Sequence, residues 1–283
     1  KSCSIEEIMS LLQEAEKCRQ GNYMDSLKGK IVANLFFEPS TRTQYSFNTA
    51  EEKLGCKVIN FNASSSSMQK GESFYDTVKT FSSFQVDAIV IRSSENEYYK
   101  QLLGKIKTPI LNAGDGTKDH PTQSLLDLLT IYQEFHHFEG LKIAVVGDIK
   151  HSRVAHSNIE IMERLGMDVY CSGPQEFKDE EYRYIEFEKA VEEMDIIMLL
   201  RVQHERHEQA MKISKEEYHQ QYGLTMERVN KMKKNAIIMH PAPFNRNVEI
   251  ADDVVECEKS RIFKQIENGV FVRMAALRRS MRG

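Results

Sequence analysis

Short apolar runs alternate with amphipathic stretches along almost the whole chain. The runs occupy residues 31–36, 57–60, 87–91, 109–112, 142–146, 168–171, 195–199 and 236–239. Each run has the length of a strand, and the segments between the runs carry apolar residues at helical spacing. Strands that alternate with helices in this way predict parallel βα units, and therefore an α/β fold.

The spacing of the runs changes near the middle of the chain. Pro121 opens a long pattern of helical period that continues to about residue 138 and is followed by Gly140. We interpret this segment as a helix that joins two lobes, each a parallel sheet of about four strands flanked by helices. The predicted organisation is a first domain, a second domain and a closing C-terminal helix that returns to the first lobe, over residues 1–130, 131–265 and 266–283.

The bulk composition fits two domains and excludes several classes of function. A chain of 283 residues is long for a single hydrophobic core. Its net charge of −4 differs from the positive charge that is typical of nucleic-acid-binding proteins. Its five cysteines form no Cys-x-x-Cys pair, which indicates a reducing compartment. No apolar run approaches the roughly 20 residues needed to span a bilayer, and no secretory signal pattern is visible. We therefore expect a cytoplasmic protein without membrane or nucleic-acid partners.

The first apolar run leads directly into a segment rich in hydroxyl groups. It reads Phe36-Phe37-Glu38-Pro39-Ser40-Thr41-Arg42-Thr43, and a helical pattern follows. An isolated Ser-Thr-Arg sequence is more often an ordinary N-cap with an exposed arginine. Here the hydroxyls, the guanidinium and the free amides of the helix N-terminus together favour a phosphate site.

Most of the other predicted strands also end in a cation or a directional hydrogen-bond donor. Open α/β sheets bind ligands at the carboxyl ends of their strands, so these residues are expected near ligands with several negative charges. They are Arg92, His120, Gln123, Arg153, Arg201, Gln203 and the His240-Pro241-Ala242-Pro243 segment.

His120 differs from the other histidines because it precedes a proline that begins a helix. The helix dipole there is expected to lower the histidine pKa and favour a neutral imidazole, which can donate to a carbonyl oxygen. His204 and His207 lack a carboxylate or cysteine partner, so we predict no metal site.

Two polar stretches lie between the predicted elements. Ser66 and Lys70 lie in a Ser-rich segment that reads either as a flexible linker or as an arm reaching into a site, that of its own or of a neighbouring subunit. Residues 202–225 form a long polar stretch between two strands, which we interpret as a mobile closing loop.

Taken together, the motifs resemble the catalytic chains of the aspartate/ornithine carbamoyltransferase family, and its aspartate-specific members in particular. The match runs in order from about residue 30 to 275. It is carried by Ser40-Thr41-Arg42-Thr43, Ser66-x-x-x-Lys70-Gly71-Glu72, Ile91-Arg92, His120-Pro121-Thr122-Gln123, Arg153, Arg201-Val202-Gln203 and His240-Pro241-Ala242-Pro243.

The resemblance implies a carbamoyl phosphate lobe, an aspartate lobe and a homotrimer with shared active sites, with no cofactor. The implied carbamoyl phosphate residues are Ser40, Thr41, Arg42, Thr43, Ser66, Arg92, His120, Gln123, Ala242 and Pro243, with a cis bond before Pro243. The implied aspartate residues are Lys70, Arg153, Arg201 and Gln203. Arg42, Thr43, His120 and Lys70 are the implied catalytic residues, and Ser66 and Lys70 would come from the adjacent chain.

The implied reaction is carbamoyl transfer from carbamoyl phosphate to the amine of aspartate, the committed step of de novo pyrimidine biosynthesis. Two alternatives stay open. Ornithine is the rival acceptor, but it calls for carboxylates and typically a His-Cys-Leu-Pro motif, whereas this chain has Ala242 and Arg201 at the corresponding motifs. A non-catalytic ligand-binding homologue is the other, although such a protein should have lost part of the oxyanion set or Lys70.

Overall fold

The computed structural model describes residues 3–23, 27–116, 120–202 and 213–282. It divides into two compact units, one of Lys1–Leu129 with Ile266–Gly283 and the other of Thr130–Gln265. Both boundaries between the units fall within helices.

The strands follow the apolar runs closely. They are β1 (Ile31–Phe36), β2 (Lys57–Asn62), β3 (Ala88–Ser93), β4 (Ile110–Asp115), β5 (Lys142–Val146), β6 (Asp168–Ser172), β7 (Ile196–Leu199) and β8 (Ile237–Met239). The α-helices in the described residues are α1 (Ile5–Arg19), α2 (Thr41–Lys53), α3 (Phe74–Ser83), α4 (Pro121–Phe135), α5 (Arg153–Arg164), α6 (Phe187–Glu193), α7 (Lys215–Tyr222), α8 (Met226–Lys231) and α9 (Ile262–Met281).

Each unit is built on a four-stranded parallel sheet, and the two sheets have the same topology. The strand orders are β2-β1-β3-β4 and β6-β5-β7-β8. The prediction of two α/β lobes with parallel sheets is therefore confirmed. The direction of winding reverses between β1 and β3 and between β5 and β7, and a ligand crevice is expected at the carboxyl ends of such strand pairs.

The sheet of the first unit is covered on both faces. Val32 and Phe36 of β1 pack in one cluster with Phe47 of α2 and with Met274 and Leu277 of α9. The alternate β1 residues Ala33 and Leu35 pack on the opposite face with Val78 of α3. The C-terminal helix therefore returns to the first lobe, as predicted.

The second unit has a large buried cluster against β5 and β7. Val146 and Ile197 lie in one buried cluster with Phe187 of α6 and Val229 of α8. Within the same unit, the end of α4 is tied to the start of α9, because Glu134 accepts from Arg261 at 2.8 Å and from Lys264 at 2.6 Å.

The polar stretch over residues 202–225, predicted as a loop, contains a helix in its second half. Residues 215–222 form α7, which begins with a capping box between Ser214 and Glu217. Tyr218 is fully buried and packs with Val202 and Val248. The helix was missed because one buried aromatic on an otherwise polar segment gives almost no periodic signal. The first half of the predicted loop, residues 203–212, lies outside the described residues.

In the described part of the chain, the helices are all too short or too polar to cross a bilayer.

Candidate active site

The first candidate site lies where β1 runs into α2. Ser40 is the N-cap of α2, with extended backbone (φ −158°, ψ 90°), and its hydroxyl makes no capping hydrogen bond. Thr41 and Arg42 are exposed in the first turn, whereas Thr43 is buried. Because the first amides of α2 have no side-chain cap, this helix end suits an anion.

Arg92 is the penultimate residue of the neighbouring strand β3 and is 8% exposed. Its Nη2 lies 2.6 Å from Oε1 of Glu38, and its Nη1 donates to the carbonyl of Ala113 at 3.1 Å. Burial lowers the pKa of the Arg92 guanidinium, and the charge of Glu38 opposes that shift. The switch point of the first sheet therefore holds a buried cation that is paired with a carboxylate.

Gly114 makes room for this guanidinium. Its φ is +142°, and a Cβ at this position would lie 2.6 Å from Nη1 of Arg92. Only glycine meets both conditions, which explains the glycine at position 114, the first residue of the segment Gly114-Asp115-Gly116.

His120 completes the cluster. It directly precedes α4, and its Nε2 lies 3.5 Å from Oγ1 of Thr43 and 3.5 Å from Nη1 of Arg92. Both separations are long for hydrogen bonds, so three polar groups surround one point without binding each other tightly. The structure thus brings Thr43, Arg92 and His120 together.

Three other predicted residues of the first unit make different contacts. The backbone N–H of Gln123 donates to the carbonyl of His120 at 2.9 Å, whereas no described contact joins Ser66 or Lys70 to the cluster. Gln123 is buried and donates to Oδ1 of Asp127 at 3.0 Å. Ser66 caps a short 3-10 turn, Ser67–Lys70, and its hydroxyl donates to the carbonyl of Ala63 at 2.9 Å. Lys70 is exposed at the end of that turn.

The second candidate site lies at the carboxyl ends of β5 and β7. Arg201 is half-buried and follows β7 after a single residue. Arg153 is the first residue of α5, whose N-cap is Ser152; the description of Arg153 extends to its backbone only. Gln203 lies outside the described residues. The backbone therefore places two of the three predicted aspartate ligands of this unit at its switch point.

The residues 240–243 follow β8 and are fixed by a buried histidine. His240 Nδ1 accepts from the backbone N–H of Ala242 at 2.9 Å, and its Nε2 lies 3.2 Å from Oε1 of Glu249. Because Nδ1 is an acceptor, the proton is on Nε2, and the neutral imidazole donates to the carboxylate. The peptide bond between Ala242 and Pro243 is cis, as predicted.

Glu249 connects this loop to the end of β7. Its Oε1 accepts from the backbone N–H of Asn245 at 2.6 Å, and its Oε2 from the Asn245 amide at 3.3 Å. The same amide donates to the carbonyl of Val202 at 2.8 Å. The loop that follows β8 and the segment that contains Arg201 are therefore held together through one buried carboxylate.

Two family models match consecutive parts of the chain. Residues 1–133 match the carbamoyl-P binding domain of aspartate/ornithine carbamoyltransferases, and residues 139–279 match the Asp/Orn binding domain. The chain belongs to the aspartate/ornithine carbamoyltransferase family. The resemblance inferred from the motifs is thereby confirmed.

Solved carbamoyltransferase structures resemble the chain over nearly its full length. Aspartate transcarbamoylase from Trypanosoma cruzi in complex with carbamoyl phosphate and aspartate is 30% identical, with a TM-score of 0.88; the match covers 98% of this chain and 93% of that one. The catalytic subunit of the M. jannaschii aspartate transcarbamoylase is 35% identical, with a TM-score of 0.86; here the match covers 98% and 94%.

In this carbamoyltransferase, sequence reasoning missed the acidic residues that hold the site cations and loops. Glu38 pairs with Arg92, and Glu249 fixes His240. The position of Glu38, between a strand end and a helix start, was a usable signal. Glu249 lies nine residues beyond His240 in a polar segment, where its burial leaves no trace in the sequence. Within the described ranges, no group of three or more histidine, cysteine or acidic side chains could hold a metal ion.

Proposed function

We propose that the protein transfers the carbamoyl group of carbamoyl phosphate to the amine of L-aspartate. The products are N-carbamoyl-L-aspartate and phosphate. The observation that carries the proposal is the cluster of Thr43, Arg92 and His120 beside the uncapped start of α2, in a chain matched over 98% of its length by an aspartate transcarbamoylase complexed with both substrates.

The phosphate group would bind at residues 40–43. The amides of the first turn of α2, the hydroxyls and the fork of Arg42 offer donors to several phosphate oxygens. Arg92 would add a second cation on exchanging Glu38 for the substrate, since a carboxylate and a phosphate compete for the same fork.

The carbamoyl oxygen would be stabilised by Arg42, Thr43 and His120, with Gln123 next to the carbamoyl group. The nitrogen of aspartate attacks the carbonyl carbon, the bond from carbon to the phosphate oxygen breaks, and the amine proton goes to the leaving phosphate. No covalent enzyme intermediate is needed, because carbamoyl phosphate already carries a good leaving group. Donors aimed at the developing oxyanion typically contribute about 10²–10³ each in turnover.

Aspartate would bind in the second unit. Its two carboxylates suit Arg153, Arg201 and Gln203, and the backbone at Ala242 and Pro243 would contact the carbamoyl amine. The link from Val202 to Glu249 supports this assignment, because it fixes the aspartate segment relative to the loop that contains Ala242 and Pro243.

We further propose a cytoplasmic homotrimer in which Ser66 and Lys70 enter the site of the neighbouring subunit. Lys70 is exposed on a short turn, as a residue that serves another chain would be. The reaction would be the committed step of de novo pyrimidine biosynthesis.

The decisive experiment measures phosphate release from carbamoyl phosphate with aspartate and with ornithine in parallel. Release that depends on aspartate alone supports the proposal. Release with ornithine would overturn the assignment of the second unit, and no release with either acceptor would favour a non-catalytic homologue.

A further inference from the structure

Arg273 is a buried arginine in the middle of α9. It is 3% exposed, and its Nη1 and Nη2 donate to Oγ of Ser46 at 3.0 Å and to Oγ1 of Thr122 at 3.3 Å. Its guanidinium lies over the ring of Phe47, 5.1 Å from the centroid. All of these partners are neutral.

No carboxylate in the described part of the chain pairs with Arg273. The other arginines near the end of the same helix are paired, since Arg278 contacts Glu14 at 2.8 Å and Arg279 contacts Glu7 at 2.6 Å. Burial, and then the charge of Arg92, lower the pKa of Arg273 to about 9, so the group stays charged at neutral pH. A buried cation without an anion is unfavourable and needs a compensating reason.

The sequence makes room for this cation at a cost to the helix. Gly269 lies one turn before Arg273, and a Cβ there would come within 2.5 Å of Nη1 of Arg273. Glycine inside a helix is unfavourable, so accommodating the buried guanidinium costs helix stability.

Arg273 contacts both helices whose N-terminal ends form the first candidate site, α2 and α4. Ser46 follows Thr43 by three residues on α2, and Thr122 follows His120 by two residues on α4. The guanidinium therefore contacts α2 and α4 within about one turn of the segments that would hold the phosphate and the carbamoyl oxygen. Its strongest charge partner within the fold is another cation, Arg92.

We propose that Arg273 is a positioning residue whose buried positive charge is neutralised by the phosphate of the substrate, and which thereby strengthens anion binding at residues 40–43. This proposal rests on the proposed function only for the position of the anion, at residues 40–43. The free protein carries an unbalanced charge, and the bound dianion balances it. Stability of the free protein and affinity for the anion should therefore respond in opposite directions when the charge is removed.

The test compares three variants with a matched control. Arg273→Gln removes the charge and keeps an amide donor, whereas Arg273→Met removes both the charge and the donors. Arg273→Lys keeps the charge. Arg279→Gln removes the same unit of charge from the exposed face of the same helix. Binding of inorganic phosphate is measured by titration calorimetry at low and high salt, and Tm is measured without phosphate.

We expect the Gln and Met variants to raise the phosphate Kd about tenfold, the scale of one charge pair in a partly desolvated site. Their Tm without phosphate should be unchanged or higher, and Arg273→Lys and Arg279→Gln should bind phosphate nearly as the wild type does. A lower Tm with unchanged phosphate affinity would make Arg273 purely structural. If Arg273→Lys weakened phosphate binding equally, hydrogen-bond geometry rather than the charge of Arg273 would account for the effect. If Arg279→Gln weakened phosphate binding equally, the net charge of the protein would account for it.

The outcome is separable from that of the proposed reaction. Phosphate binding can depend on Arg273 in a protein that fails to transfer carbamoyl to aspartate. Conversely, full transferase activity together with an unchanged phosphate Kd in Arg273→Met would overturn this inference alone.

Discussion

At the scale of single residues, the position of Arg92 depends on the absence of a side chain at residue 114. A Cβ there would lie 2.6 Å from Nη1 of Arg92, in a backbone conformation that disfavours any L-residue. Gly114→Ala should therefore push the guanidinium away from the carbonyl of Ala113. We expect the KM for carbamoyl phosphate to rise about tenfold, equivalent to about 1.4 kcal/mol, because one charged donor is displaced.

The matched control for this prediction is Gly104→Ala in the same unit. Gly104 also has positive φ, but a Cβ there would meet nothing within 4 Å. It should lower Tm through backbone strain and leave KM alone. If both variants changed Tm and KM alike, backbone strain rather than the Arg92 contact would account for the effect.

At the scale of elements, α2 combines a polar N-terminus with a buried acid near its other end. Glu51 is fully buried; its Oε2 accepts from Asn34 of β1 at 2.8 Å, and in the described residues Oε1 has no hydrogen-bond partner. Burial raises the pKa of Glu51 from its ordinary value of 4.5 to about 7, although the bond from Asn34 opposes this. The carboxyl is therefore more stable protonated in the fold than in the unfolded chain.

The pH dependence of stability follows from this shift. Between about pH 4.5 and 7 the folded state binds more protons than the unfolded state, so stability falls as pH rises and stays reduced above that range. Glu51→Gln should remove this slope and raise the free energy of unfolding at pH 8 by about 1–3 kcal/mol. Denaturant unfolding at pH 4.5 and pH 8 measures both effects. Glu52→Gln, on the exposed face of α2, controls for the lost charge, and a slope that survives in Glu51→Gln would contradict the assignment.

The loop after β8 gives a second prediction at this scale. Glu249→Ala removes the acceptor for the buried His240 Nε2–H, at about 1–3 kcal/mol of unfolding free energy, and for the partly buried Asn245 backbone N–H, at a smaller cost. Because Asn245 also holds Val202, we expect the KM for aspartate to rise more than the KM for carbamoyl phosphate.

Glu249→Gln keeps an acceptor oxygen and should recover most of the lost stability and part of the aspartate affinity. Glu256→Ala, at an exposed position nearby, is the charge-matched control. Both KM values rising equally in Glu249→Ala would show that the loop does not act on the aspartate segment.

The elements that the sequence predicted well are those whose own residues are apolar enough to indicate that they are buried. The apolar runs at 31–36 and 142–146 coincide with β1 and β5, because a strand buried on both faces must be apolar throughout. Helix α7 was not predicted, because Tyr218 is buried by Val202 and Val248, which lie outside the helix. The His240–Glu249 pair was not predicted, because its burial leaves no pattern in the surrounding residues. The cluster of Thr43, Arg92 and His120 was anticipated from strand ends, whereas Glu38 and Arg273 needed the structure.

At the scale of the whole molecule, the two units place their candidate sites by the same rule. The winding of each sheet reverses between the second and third strands in its spatial order. Residues 40–43, Arg92, Arg153 and Arg201 lie at or just beyond the carboxyl ends of those strands. This topology accounts for the sites of one chain but gives no role to Lys70, which is exposed on its turn. A role for Lys70 in the site of another subunit is therefore the assignment that most needs a test on the assembly.

Mixing inactive variants provides that test. Lys70→Ala and Arg201→Ala should each be inactive alone, yet a mixed form of the proposed trimer would contain sites with Lys70 from one chain and Arg201 from its neighbour. Random exchange of equal amounts should restore about a quarter of the sites, because each of two neighbours must be of the right type. Arg42→Ala mixed with Arg201→Ala is the control: both residues serve one site from the same chain, so activity should stay absent. With subunit exchange verified by a mass-tagged chain, failure of the first mixture or recovery in the second would show that the sites are not shared in this way.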